Sequence, residues 1–188
     1  MIPAKEKKIL VLMAIIFALA LTACATGGDT KNDLVLANKP ELVVYEYCKA
    51  DAYGARLSTD TVKATTKFYV ENSPPELGWT YIYLISDFKV QQTLVDGDTA
   101  KVFIIYDYLA TLDLVKKDVY VEDFPFLVEF NLTKEKGLWK INSFKTLPCV
   151  YKDAALAFLK NQFKSSTNQD DEDRLLALIE KVKALKEE

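Results

Sequence analysis

Phe126-Leu127-Val128-Glu129-Phe130-Asn131-Leu132-Thr133, then Lys134-Glu135-Lys136-Gly137, then Leu138-Trp139-Lys140-Ile141-Asn142-Ser143-Phe144 is the stretch whose pattern decides the fold. Phe126, Val128, Phe130 and Leu132 fall on alternate positions, with Leu127, Glu129 and Asn131 between them. That period of two describes an extended strand with one apolar side. The charged, glycine-ended segment turns the chain into a second strand. Upstream, Asp96-Gly97-Asp98 separates Phe88, Val90, Gln92 and Leu94 from Ala100, Val102, Ile104, Tyr106 and Tyr108. An Asp-Gly pair between alternating runs predicts a hairpin. A looser crossing from Asp113 to Asp118 leads to Phe124–Thr133. Long antiparallel strands with one apolar face need a cover, and flanking helices supply it.

The first helix follows Pro40. Val43, Tyr47, Ala50, Gly54 and Leu57 recur at steps of four and three, and Val44, Cys48 and Ala52 widen that face. Glu46, Lys49 and Asp51 are left as its wetter side. Gly54 is read as a close-packing position or the point where the helix bends, since glycine lowers helix propensity. Ser58 is placed to cap a second helix. Val62, Thr65, Thr66 and Tyr69 continue it until Asn72-Ser73-Pro74-Pro75. Trp79 to Ile85 is aromatic-rich, irregular or strand-like. After the sheet comes a helix with Leu156, Leu159 and Phe163 on one side. A polar linker over 165–171 precedes a last helix with Leu175, Leu178 or Ile179, Val182 and Leu185 on one face. That helix either lies back over the domain or docks a partner chain.

Two N-terminal helices, an Asp-Gly-Asp hairpin and the pair ending Gly137-Leu138-Trp139-Lys140-Ile141 resemble the NTF2-like (cystatin-like, SnoaL-like) α+β cone. Ala50-Asp51-Ala52-Tyr53-Gly54-Ala55-Arg56-Leu57-Ser58 is also similar to uncharacterised bacterial members, many of them lipoproteins. The resemblance covers roughly 40–147. It implies a curved antiparallel sheet wrapped around the N-terminal helices, with a pocket at its open end. Residues 148–188 are expected as a C-terminal helical extension.

The N-terminus carries Lys5, Lys7 and Lys8, the apolar run Ile9 to Leu21, and Leu21-Thr22-Ala23-Cys24. A basic stub, a short apolar run and small residues at a cut form a secretory signal peptide, here 1–23. The run is too short to span a bilayer core, which needs about 20 helical residues. Leu-Thr-Ala-Cys resembles the lipobox of bacterial lipoprotein precursors, which implies a diacylated Cys24 at the mature N-terminus. Two acyl chains anchor stably where one does not. Residues 24–39 are then a flexible tether. Ala25 in place of Asp implies an outer-membrane destination facing the periplasm where the cell is Gram-negative.

The precursor has a net charge of −3, no histidine and no basic block interleaved with aromatics. A nucleic-acid partner is disfavoured, and the commonest neutral metal ligand and near-neutral proton shuttle are missing. No metal site and no cofactor are expected. Cys48 and Cys149 could form a disulfide in an oxidising compartment or remain two buried thiols. Enzymes of the resembled family set an Asp or Asp/His pair inside the cone against tyrosine donors. Weak catalytic candidates here are Asp107, Tyr106 and Tyr83, and candidate pocket residues are Tyr47, Trp79, Tyr81 and Asp107. Glu129 is read as part of a solvated outer face. Arg56 is expected to pair with Asp51 or Asp60. Three functions stay open: a non-enzymatic lipoprotein presenting the domain to a protein or small apolar ligand, an isomerase- or cyclase-like enzyme using Asp107, and a homodimeric assembly protein clasped by the last helix.

Overall fold

The computed structural model describes residues 38–69, 78–121 and 125–186. The expected signal peptide, Cys24 and most of the expected tether lie outside the described residues, as do Asn72–Pro75 and Phe124. The described residues belong to one compact unit, Leu36–Glu188. It is an α+β fold built on a strongly curled, antiparallel-rich sheet.

Helix α1 spans Pro40–Ala52. Pro40 opens it at a position where its missing N–H costs nothing and its fixed φ is already helical. The helix ends in a Schellman turn: Ala55 N donates to Ala50 O at 3.0 Å and Gly54 N to Asp51 O at 2.7 Å. Gly54 takes the left-handed position at φ 87°, and a Cβ there would meet Leu57 Cδ1 at 3.3 Å. The helix therefore stops before Gly54 and Leu57, which the sequence pattern had included on its face. Helix α2, Thr59–Thr66, is capped by Ser58, whose Oγ accepts from Thr61 N at 3.3 Å.

Strands β1 (Tyr81–Asp96) and β2 (Thr99–Asp113) form one long hairpin. Asp96 faces Thr99 across a two-residue turn, with Gly97 at φ 56°. The Tyr81–Ile85 stretch is thus the start of β1. Strand β3 (Asp118–Tyr120) pairs with β2, and β4 (Phe126–Glu135) pairs with both β2 and β5 (Leu138–Ser143). Lys136 at φ 51° and Gly137 at φ 84° close the β4–β5 hairpin. Positive φ at both central residues is the type I′ pattern that matches strand twist. Strand β6, Cys149–Tyr151, runs parallel to β1. What the sequence presented as a helical extension therefore begins with a strand of the main sheet, giving the order β5-β4-β2-β1-β6.

The curl has a local cause. The β1–β2 register slips at Leu84/Ile85, Ile85/Asp87 and Val90/Gln92, and each bulge bends the strand and adds twist.

Two cores result. The first lies under α1 and joins Val44, Tyr47 and Cys48 to Val102, Ile104, Tyr106, Phe130, Trp139 and Ile141. The second is covered by α3 (Lys152–Ser165) and α4 (Gln169–Ala184) and joins Ile82, Leu84, Ala110 and Leu112 to Leu159, Leu175, Leu178 and Val182. The linker between these helices is only 166–168, shorter than its polar composition suggests. Asn168 caps α4 by accepting from Asp170 N at 2.9 Å. Lys181 pairs with Asp118 at 2.6 Å, so α4 folds back over its own domain.

Candidate functional site

Inside the curl, the sequence places Asp51 and Arg56 on either side of the Schellman turn. The turn brings them together: Arg56 Nε donates to Asp51 Oδ1 and Nη2 to Oδ2, both at 2.9 Å. Arg56 is 2% exposed and Asp51 1%. The Arg56–Asp51 pairing is as the sequence suggested, but Asp51 lies on the buried side of α1, not its wet side. The pair is stitched into the chain beyond β5. Arg56 Nη1 donates to Thr146 O at 3.3 Å and Nη2 to Leu147 O at 2.6 Å, while Asp51 Oδ2 accepts from Cys149 N at 3.0 Å. A fork of donors can serve a carboxylate and two carbonyls at once, which a lysine could not. Burial alone would lower the guanidinium pKa, but the Asp51 carboxylate outweighs it and holds Arg56 above its usual range.

Aromatic rings enclose this pair. The Arg56 guanidinium lies 5.0 Å from the Trp79 ring centroid and 5.4 Å from that of Phe144. Trp79 Nε1 donates to Arg56 O at 3.1 Å. Tyr47 packs against Phe68, Tyr69, Phe130 and Phe144, and its hydroxyl accepts from Tyr69 at 3.0 Å. Burial pushes the Tyr47 phenol well up, and Asp51 adds to it.

Tyr106 donates to Cys48 Sγ at 3.0 Å. Burial raises the Cys48 and Cys149 thiols and the Tyr106 phenol. A thiol held protonated is neither a nucleophile nor a metal ligand. Both cysteines are free in the structure, so the disulfide left open by the sequence is not formed there. Among the described residues, every buried side-chain nitrogen and oxygen has a partner. The polar groups of this interior are satisfied.

The catalytic candidates are divided by the pleat. Tyr106 points into the first core at 1% exposure, and Asp107, its neighbour in sequence, points out the other side. Asp107 is half-buried beside an open pocket of about 360 Å³, with Ser86, Tyr108, Leu109, Val121 and Lys186 around it. Its cross-strand neighbour is Asp87. Tyr83 is half-buried among the rings of Tyr108 and Phe126. Tyr81 is exposed at the start of β1. Of the pocket candidates, only Tyr47 and Trp79 come together, at Arg56, and they serve packing. Glu129 lies on the outer face and pairs with Lys101 at 2.9 Å; that hydrogen bond, above all, lowers its pKa.

Among the described residues, no set of three or more acids or cysteines could hold a metal ion, and no helix is long and apolar enough to cross a membrane. Leu175, Leu178, Ile179 and Val182 of α4 are buried against their own chain, while Leu176 is exposed.

The geometry defines an α+β domain with a buried ion pair in its interior. No known protein family matches the chain, and no curated protein does. Among solved structures, the intermembrane space region of the chloroplast protein ARC6 is similar over 60% of this chain and 96% of that one, at 17% identity and a TM-score of 0.34. A likeness that slight carries no argument.

Proposed function

We propose that this chain is a bacterial envelope lipoprotein whose domain is an NTF2-like cone used for binding or scaffolding, not for catalysis. Cys24 carries the acyl chains, 24–39 is the leash, and the domain is presented to a protein or a small apolar ligand. Where the cell has an outer membrane, Ala25 favours that membrane, with the domain facing the periplasm. The observation that carries the non-enzymatic reading is the packed interior. Tyr47 packs under α1, and the one strand acid considered as a base, Asp107, sits on the opposite side of β2 from Tyr106, while Tyr108, which lines its pocket, has its hydroxyl bonded to that of Thr111. An isomerase- or cyclase-like site needs its acid and its electrophile within hydrogen-bond reach of one substrate atom.

The test is metabolic labelling with a palmitate analogue in a native host, comparing the chain with Cys24→Ser. Label and membrane fractionation are expected for the first and loss of both for the second. Label retained by Cys24→Ser, or an unlabelled soluble parent protein, overturns the reading.

A further inference from the structure

We propose that the free edge of β1 pairs with itself: two copies of this chain join antiparallel along it, about a two-fold axis at Thr93. The surface is separate from the interior and does not depend on a lipid at Cys24.

The two margins of the sheet differ. At β5 the edge is covered, since Ile141 N donates to Phe68 O at 2.7 Å and Tyr69 bridges to Ile141. At the other margin β6 meets β1 only at Tyr83, Leu84 and Ile85. Among the described residues, no strand lies beside 88–96 on that side. Tyr45 of α1 packs on Phe88 with 5.3 Å between ring centroids, so the open edge begins at Lys89. Unpaired backbone donors and acceptors along such an edge are a template for another strand. Leu94 and Val95 are 48% and 57% exposed there.

The hairpin fixes which backbone groups face outward. Asp96 and Thr99 close a two-residue turn, and such a closing pair bonds across the hairpin. By alternation, Val95 and Thr93 direct their N–H and C=O groups away from β2. Gln91 is the extra residue of the Val90/Gln92 bulge, so Val90 joins them. The partners of Val95, Thr93 and Val90 are Ala100, Val102 and Ile104, alternate residues of β2.

With Thr93 set opposite Thr93 of a second copy, Val95 falls opposite the second copy's Val90 and Asp96 opposite its Lys89. Each of these pairs then occurs twice by symmetry. The valines lie on the inward side of the sheet, and Lys89 and Asp96, both exposed, on the outer one. Apolar and opposite-charge pairs directly across strands are stabilising. Native edges are commonly blunted by proline or lysine. Residues 86–96 contain no proline, and their single cation, Lys89, is answered by Asp96 in this register. The edge carries its own complement, which favours a second copy over an unrelated extended segment.

The experiment is sedimentation of the full chain in a density-matched non-ionic detergent. A ladder this short buries less than a standard interface, so self-association is expected at about 100 µM, read over roughly 5 to 500 µM. Lys89→Asp and Asp96→Lys each replace two attractive pairs by two repulsive ones and are expected to weaken it roughly 10-fold. Mixed in equal amounts, the two variants regain both attractive pairs, and association is expected to return to that of the parent. A substitution that merely damaged its own fold would not be rescued by mixing. Thr93→Pro removes an outward N–H at an edge position that tolerates proline, and this variant is expected to stay monomeric. A monomeric parent overturns the proposal, whether or not a different protein takes the edge. So does a mixture that associates no better than its parts, or a Thr93→Pro chain that associates as the parent does.

Discussion

The two cores lie along the same strand, β2, yet they are made of different material. The α1 side draws on Tyr47, Tyr106, Phe130, Trp139 and two thiols, threaded by the Asp51–Arg56 pair. The α3/α4 side is almost wholly Leu, Ile, Val and Ala. An aliphatic core is held by burial alone, which is non-directional, so it tolerates reshuffling. A polar-laced core must satisfy each donor and acceptor in one geometry. The contrast says where the fold is specified and where it is merely sealed.

The largest effect should come from breaking the ion pair. Asp51→Ala leaves the Arg56 guanidinium buried without a countercharge and deprives Cys149 N of its acceptor. We expect about 3–5 kcal/mol of lost stability, read from the denaturant midpoint. The double variant Asp51→Leu with Arg56→Met should lose less than the two single losses added together, because neither charge is then stranded. A single-variant cost under about 1 kcal/mol, as for an exposed pair, would erase the distinction between the cores.

In the aliphatic core, Leu178→Ala should cost about 3 kcal/mol through lost burial and a residual cavity. Leu178→Met should cost less than about 1.5 kcal/mol, because the volume is kept and methionine adapts to irregular space. Equal losses for the two, measured by the same midpoint, would mean that this side is as sharply specified as the other.

The same contrast explains what the sequence could tell. The hairpins were legible because period-two burial and Asp-Gly or Lys-Gly turns are local signals. So was the face of α4, whose Leu175, Leu178, Ile179 and Val182 are all buried. Asp51 was not. A carboxylate at a helical position reads as solvent-facing until the turn at Gly54 swings Arg56 back onto it. The i, i+5 spacing of acid and arginine across a helix-ending glycine was the available signal. Strand β6 was missed for a related reason: three residues carry no periodicity, and its partner β1 lies far away in sequence. At the candidate site, alternation correctly put Asp107 on the side of Phe103 and Ile105. It could not reveal how Tyr47 packs on the side opposite, since that depends on rings from the segment after α2, Phe68 and Tyr69, and on Phe144 after β5.

The smallest effect is the most direct probe of that interior. Tyr106→Phe removes one donor to Cys48 and should cost about 1 kcal/mol at neutral pH. Its value lies in the alkaline range. In the folded chain Cys48 is raised well above its ordinary 9.0, and Tyr47 and Tyr106 well above 10.0, chiefly by burial. A raised folded value means the unfolded chain gives up its proton first. The stability these groups contribute is therefore complete below about pH 9 and falls as pH climbs through the unfolded values. Each group adds a slope of about 1.4 kcal/mol per pH unit once its unfolded form ionises. The parent should lose stability gently from pH 9 and more steeply above pH 10. Tyr106→Phe, with one fewer buried phenol, should show a shallower fall above pH 10 while keeping the earlier thiol-driven one. Denaturant midpoints that stay level to pH 10.5 would mean that the thiols and phenols ionise in place, which needs water in the space under α1. The aromatic core would then be a solvated pocket, and its difference from the aliphatic side would be one of access as well as composition.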